Sequence, residues 1–219
     1  MDVAWDKRFA MREYSYTLLC DGTSDRVLIP IIDWMLQKHF PESVWRSQEA
    51  DLWTLRHKVS KTRERLNASA ELFPADVIFF HRDAERMTMK DRQKEIDETI
   101  AACDPLPYKT HVPVVPVRMT EAWLLISESA IRDAASNPNG RDVLQLPKLS
   151  ELEKLPDPKT TLRELLKTAS GLSGRRLKKF RFGASRRALP DHIRNWDELL
   201  RLKSARDLYD RIEALKEQL

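Results

Sequence analysis

Two acidic residues, Asp83 and Glu85, closely follow the short apolar run at residues 77–80 in the segment DVIFFHRDAE. A run of β-branched and aromatic residues, with Pro74 before it and charges after it, predicts a strand buried on both faces. If the chain stays extended beyond the strand, Asp83 and Glu85 point to the same side. Their carboxylates would then offer hard oxygen ligands to Mg²⁺ or Mn²⁺. The alternative is that both acids lie at the N-terminus of the next helix, where the helix dipole stabilises negative charge.

Acids also follow two other predicted strands. The segment YSYTLLC at residues 14–20 predicts a first strand, and Asp21 comes directly after it in a turn with Gly22. The segment HVPVVPVR at residues 111–118 predicts a strand that is short or lies at an edge, since its two prolines lack a ladder donor. Glu121 follows in the first turn of a predicted helix. Carboxyl ends of parallel strands lie at one edge of a sheet, where open α/β folds bind their ligands. The alternative is structural, because turn formation explains Asp21 and helix capping explains Glu121 equally simply.

Strands and helices alternate along the chain, which predicts an α/β fold with a mostly parallel four-stranded sheet and flanking helices. A short strand is expected within residues 41–48, and helices at 50–66, 86–103 and 160–167. Residues 137–158 are rich in Pro, Asn, Asp and Gly and indicate a linker. We therefore predict an α/β domain at 1–135 and a helical, basic C-terminal part at 136–219.

The composition is that of a soluble globular protein, with 219 residues, 33% of them charged and 42% apolar. The charged N-terminal segment has no signal-peptide pattern and no apolar stretch reaches membrane-spanning length, so we expect a cytoplasmic protein without membrane contact. Cys20 and Cys103 are too few and too isolated for a disulfide framework or a zinc site. The absence of GxxxxGK and GxSxG argues against a P-loop and a nucleophile elbow.

A basic segment at residues 171–190 contains seven Lys or Arg residues and no acid, whereas the whole chain has a formal charge of only +4. Phe180 and Phe182 lie among these cations. This pattern favours a surface that contacts nucleic-acid phosphates and stacks on bases, although it also fits a solvated loop. The seven predicted nucleic-acid-binding residues are Arg175, Arg176, Lys178, Lys179, Arg181, Arg186 and Arg187.

The order of acids after strands one, three and four resembles the Toprim fold of topoisomerases, primases, small ribosomal-RNA maturases and OLD-type nucleases. The family's first acid, usually followed by Gly, matches Asp21-Gly22, and its DxD-type pair matches Asp83-Ala84-Glu85. The TEAWLL run at residues 120–125 is similar to a segment of small bacterial Toprim-like proteins. Two residues depart from the pattern, because Asp21 stands where Glu is usual and Glu85 where Asp is usual.

The resemblance implies a metal-dependent nuclease that acts on DNA or RNA with Mg²⁺ or Mn²⁺. Asp83 and Glu85 would hold the metal, Asp21 would act as a general base or further ligand, and Glu121 would assist. Arg82 and Arg118 are candidates to neutralise phosphate charge. The resemblance further implies a role in phage defence or mobile-element biology, with a companion ATPase or another protein of the same system as partner. The alternative is a non-catalytic module that binds nucleic acid or a partner within a larger complex.

Overall fold

The computed structural model describes residues 11–54, 61–103 and 108–219, which form an α/β fold around a four-stranded parallel sheet. The predicted fold class is confirmed. The strands are β1 (Arg12–Leu19), β2 (Ser43–Glu49), β3 (Val77–His81) and β4 (Thr110–Val114).

The sheet has the order β2-β1-β3-β4, with every neighbouring pair parallel. The predicted strand within residues 41–48 is confirmed as β2, and the proline-containing β4 is short and lies at an edge, as expected. From β1 the chain crosses to β2 on one side, and β3 then lies on the other side of β1. The gap between the carboxyl ends of β1 and β3 is thus the switch point at which sheets of this topology bind ligands.

Helices cover both faces of the sheet and form the C-terminal part. The α-helices are α1 (Ile29–His39), α2 (Thr62–Leu72), α3 (Met89–Ala101), α4 (Glu128–Ala134), α5 (Pro158–Ala169), α6 (Gly174–Lys178), α7 (Phe182–His192) and α8 (Lys203–Ala214). The 3₁₀ segments are Thr23–Leu28, Leu52–Thr54, Thr120–Leu124, Leu149–Lys154, Asp197–Arg201 and Leu215–Glu217. None of the described helices is both long and apolar enough to traverse a bilayer.

Strand β3 is buried along its whole length, as its composition predicts. Val77 and Phe79 face one hydrophobic cluster, whereas Ile78 and Phe80 face the other. The larger cluster also contains Leu189 of α7 and apolar residues of α5 and α8. The residues 136–219 therefore share a core with the sheet, and the division at residue 135 stays a prediction.

Two predicted helices differ in extent from the observed ones. The helix expected at 50–66 is wrong, because Leu52–Thr54 is a 3₁₀ turn in which the Asp51 carboxylate accepts from the Trp53 N–H, and α2 begins only at Thr62. Residues 55–60 lie outside the described part. The helix expected from Arg86 begins at Met89, since Thr88 caps it by accepting from the Asp91 N–H at 3.2 Å.

Candidate active site

Three carboxylates meet at the carboxyl edge of the sheet, each supplied by the segment after a different strand. Asp25 lies in the 3₁₀ segment after β1, Asp83 follows β3, and Glu121 lies in the 3₁₀ segment after β4. Asp25 and Glu121 are buried and both raise the pKa of Asp83 by charge repulsion. We call Asp25, Asp83 and Glu121 the carboxylate cluster.

His81, the last residue of β3, connects Asp25 to Asp83. Its buried ring donates from Nδ1 to the Val114 carbonyl oxygen at 3.0 Å, because a carbonyl oxygen can only accept. Its Nε2 faces the other way, 3.6 Å from Asp25 Oδ2 and 3.7 Å from Asp83 Oδ1. The ring orientation is thus set by the backbone of β4, and Nε2 is presented to two carboxylates.

Asp83 is the most accessible member of the cluster, with 28% of its side chain exposed. Its Oδ1 accepts from the Thr120 backbone N–H at 3.0 Å and from the Thr120 hydroxyl at 3.2 Å. Burial, together with the negative charges of Asp25 and Glu121, raises the pKa of Asp83 to about 6. The interaction with His81 opposes this increase. A carboxylate with that pKa can take up a proton near neutral pH.

Arg186 of α7 supplies the balancing positive charge, although only 3% of the residue is exposed. Its Nε donates to Glu121 Oε1 at 2.9 Å, its Nη2 lies 3.5 Å from Asp25 Oδ1, and its Nη1 donates to the Ser24 carbonyl. Arg186 is therefore buried within the site and does not lie on an exposed basic surface. Two buried carboxylates attract this guanidinium inward, because an unpaired buried charge costs several kcal/mol.

Glu85 does not join Asp83, contrary to the prediction from alternation. The backbone at Glu85 is left-handed, with φ 52°, so the chain is no longer extended there and the two side chains diverge. The Glu85 side chain is 69% exposed, and its Oε2 lies 3.9 Å from Arg92 Nη2. The position beside Asp83 that the sequence assigns to Glu85 is taken by Asp25 and Glu121.

Asp21 is held by two arginines at the same edge of the sheet. Its Oδ1 lies 2.7 Å from Arg65 Nη1, and its Oδ2 accepts from Arg82 Nε at 3.2 Å. Arg82 also pairs with Glu95. Asp21 and Arg82 thus form an ion pair. The acid after β1 that lies near Asp83 is Asp25, not Asp21.

The carboxylate cluster has the oxygen donors that Mg²⁺ and Mn²⁺ prefer, but its arrangement does not fit an ion. Across the three described ranges, no three Asp, Glu, His or Cys side chains form a group that could hold a metal. The Arg186 guanidinium lies against both Asp25 and Glu121, and so provides the charge compensation that a cation would otherwise supply. The residues as arranged form a carboxylate–arginine site.

The remaining six residues of the predicted nucleic-acid-binding set are exposed on or beside α6 and α7. They are Arg175, Arg176, Lys178, Lys179, Arg181 and Arg187. Phe180 and Phe182 are half-buried against the main core, and the Arg163 guanidinium lies 4.9 Å from the centre of the Phe182 ring. The surface is basic as expected, but its aromatic rings are partly covered.

Sequence reasoning missed Asp25 and His81 as site residues. A polar ring ending an otherwise apolar strand was the available signal for His81, and a second acid four residues after Asp21 was the signal for Asp25. Cys20 and Cys103 are free and buried, and burial raises the pKa of the Cys20 thiol.

Comparisons with known proteins assign no family to this geometry. The chain matches no protein-family model, no curated protein and no solved structure. The Toprim resemblance therefore depends on the sequence motifs, and the function that it implies is a proposal.

Proposed function

We propose that the chain is a phosphodiester-cleaving enzyme that acts on nucleic acid, with the carboxylate cluster as its reaction centre. The observation that carries the proposal is the site itself, in which three carboxylates and His81 meet at the switch point of a parallel sheet against one arginine. Repulsion between clustered buried carboxylates lowers stability, and such clusters are typical of functional sites.

The roles follow from access and hydrogen bonding. Asp83, with a pKa of about 6 and partial exposure, is the general base that takes a proton from the attacking water. His81 is a positioning residue, because its Nε2 faces both Asp83 and Asp25. Glu121 and Arg186 form a buried pair that anchors α7 against the site.

Mg²⁺ or Mn²⁺ remains part of this proposal as an added cofactor, although the present arrangement does not fit one. A bound divalent ion would supply charge stabilisation to the phosphodiester. The metal dependence of cleavage is therefore itself a measurement to make. A metal that prefers the folded chain raises its melting temperature.

The test compares the parent chain with Asp83→Asn on labelled single-stranded DNA, double-stranded DNA and RNA, with Mg²⁺, with Mn²⁺ and with EDTA. Asp83→Asn keeps the acceptor oxygen for Thr120 but removes the base, so cleavage should fall about 10²-fold or more while circular dichroism is unchanged. The control is Asp210→Asn, which changes an exposed acid. Equal cleavage by the parent and Asp83→Asn would rule out this reaction centre.

A second candidate, a module that binds nucleic acid without cutting it, is favoured by a different observation. The exposed cations of α6 and α7 are available to phosphates. This candidate is selected if the chain binds the three nucleic acids but cleaves none of them under any metal condition. A companion ATPase or nuclease of the same system would then act on the bound strand.

A further inference from the structure

Beside Asp83, a cavity of ≈ 630 Å³ opens at the carboxyl ends of β3 and β4. Its charged lining consists of Arg86, Arg92, Arg118 and Glu85, and its apolar lining includes Met87 and Met119. We call it the arginine pocket. A volume of this size is within the range of pockets that bind small ligands.

The backbone around the pocket continues the pairing of β3 with β4 past the ends of both strands. The Ala84 N–H donates to the Pro116 carbonyl at 3.0 Å, and the Glu85 N–H donates to the Arg118 carbonyl at 3.2 Å. The next residue but one, Thr120, donates its N–H to Asp83. The pocket and the carboxylate cluster are therefore built on the same two loops.

Strained backbone is concentrated at this place. In the part of the chain that the structure describes, three non-glycine residues have a left-handed backbone, and two of them, Glu85 with φ 52° and Arg118 with φ 67°, line the pocket. Such residues cost free energy and tend to persist where a ligand or a reaction uses the geometry. Neither residue is Asn or Asp, the types that tolerate this conformation best.

The charges of the pocket favour an anion. Arg92 is buried and pairs with Glu95, whose Oε2 lies 2.5 Å from Arg92 Nη1. The Arg92 Nε has no hydrogen-bond partner among the described residues. Arg86 and Arg118 are exposed and have no acidic partner within the described ranges. Against three guanidinium groups the lining contains only one acid, Glu85.

We propose that the arginine pocket binds one nucleotide unit, with Arg86 and Arg118 on its phosphate and with Met87 and Met119 against its base. Guanidinium groups recognise phosphate oxygens by charge-assisted hydrogen bonds, and the thioether side chains offer a polarisable apolar surface. Met87 is 42% exposed in the free protein, as expected of a surface that a ligand covers. The assignment to a nucleic-acid substrate rests on the proposed function, since the pocket would hold the nucleotide next to the phosphodiester at Asp83.

The experiment is calorimetric titration of the parent chain with adenosine 5′-monophosphate, adenosine and inorganic phosphate. The nucleotide should bind more tightly than either of its parts. Arg86→Gln/Arg118→Asn should weaken nucleotide binding by about tenfold or more, with Asn chosen because it accepts the left-handed backbone. Glu85→Gln removes the one acid and should tighten binding about threefold, which a purely structural role of the pocket does not produce.

The matched control is Arg141→Gln/Arg194→Asn, which removes two exposed arginines outside the pocket and should leave the affinity unchanged. Unaltered affinity in Arg86→Gln/Arg118→Asn, or binding of adenosine as tight as that of its monophosphate, would overturn the phosphate assignment. Inorganic phosphate binding as tightly as the nucleotide would overturn the base contact.

Cleavage measured on the same variants separates this inference from the proposed function. Nucleotide binding that responds to the pocket variants in a chain that cuts no substrate supports the pocket and removes the proposed enzyme activity. Cleavage that depends on Asp83, in a chain that binds no nucleotide, retains the enzyme and overturns the pocket.

Discussion

Asp83 combines a raised pKa with access to solvent, and the pKa has a consequence for stability that can be measured without a substrate. The carboxyl has an ordinary pKa of 3.8 when the chain is unfolded and a pKa of about 6 when it is folded. Between these values the folded state binds more protons than the unfolded state. The stability contributed by Asp83 is therefore present below pH 4 and is lost as the pH rises through 6.

We predict that Asp83→Asn makes the protein more stable at pH 8, by on the order of 2 kcal/mol, because the neutral amide avoids the cost of a buried charge. The gain should shrink below pH 6 and vanish near pH 4. Urea denaturation across this pH range measures it, with Asp210→Asn as the exposed control. A difference that does not change with pH would contradict the raised pKa.

Asp21 tests whether the sequence motif or the observed ion pairs describe its role. Asp21→Asn keeps the turn but breaks the pairs with Arg65 and Arg82. Since the Asp21 side chain is 45% exposed, we predict a stability loss of about 1 kcal/mol or less and a cleavage rate within about threefold of the parent. A loss of 10²-fold in cleavage, measured beside Asp83→Asn, would instead return Asp21 to the reaction centre as the motif implies.

At the scale of single elements, α7 carries two adjacent arginines with opposite environments. Arg186 is buried against Glu121 and Asp25, whereas Arg187 is exposed. One face of the helix thus closes the site and the other contributes to the basic surface. This arrangement gives a matched pair of substitutions on one helix.

We predict that Arg186→Ala lowers the free energy of unfolding by about 3–5 kcal/mol, because it leaves Glu121 buried without a partner. Arg187→Ala should change it by less than about 0.5 kcal/mol. Thermal and urea denaturation of both variants measure the effect. Adding Glu121→Gln to Arg186→Ala should recover part of the loss, and a lack of recovery would show that the ion pair is not its cause.

The sequence predicts the elements better than the site. Alternating strands, the two-faced burial of β3 and the edge position of β4 follow from local patterns of apolar residues and prolines. The partners of the acids do not, because they depend on one left-handed residue, Glu85, and on α7, which meets Asp25 across 161 positions of the chain. A single positive φ reverses the direction of a side chain, and no residue type at position 85 signals it.

At the scale of the whole molecule, the C-terminal helices belong to the site as well as to the core. The indole of Trp123, in the same 3₁₀ segment as Glu121, donates to the Ser204 hydroxyl of α8 at 2.9 Å. Arg186 of α7 pairs with Glu121 itself. Helix α7, which carries part of the basic surface, is therefore anchored to the carboxylate cluster, and under the proposed function a nucleic-acid strand bound on that surface would extend toward the acids.

This arrangement predicts that binding and cleavage can be separated by mutation. Each cation that contacts a phosphate of double-stranded DNA adds about 0.9 to the slope of log affinity against log salt. Changing Lys178, Lys179, Arg181 and Arg187 to Ala should lower the magnitude of that slope by about 3.6 and weaken binding to every sequence, as measured by fluorescence anisotropy at several salt concentrations. Asp83→Asn should bind with the parent's slope although it does not cut.

The control for charge alone changes Lys109, Arg141, Lys159 and Arg194 to Ala, which removes the same formal charge from exposed positions outside α6 and α7. A protein that binds DNA only through its overall charge would lose affinity equally in both quadruple variants. A localised surface predicts that the control variant keeps most of the slope, because counterions are released only where phosphates touch the protein. Equal slopes in the two variants would therefore move the nucleic-acid contact away from α6 and α7.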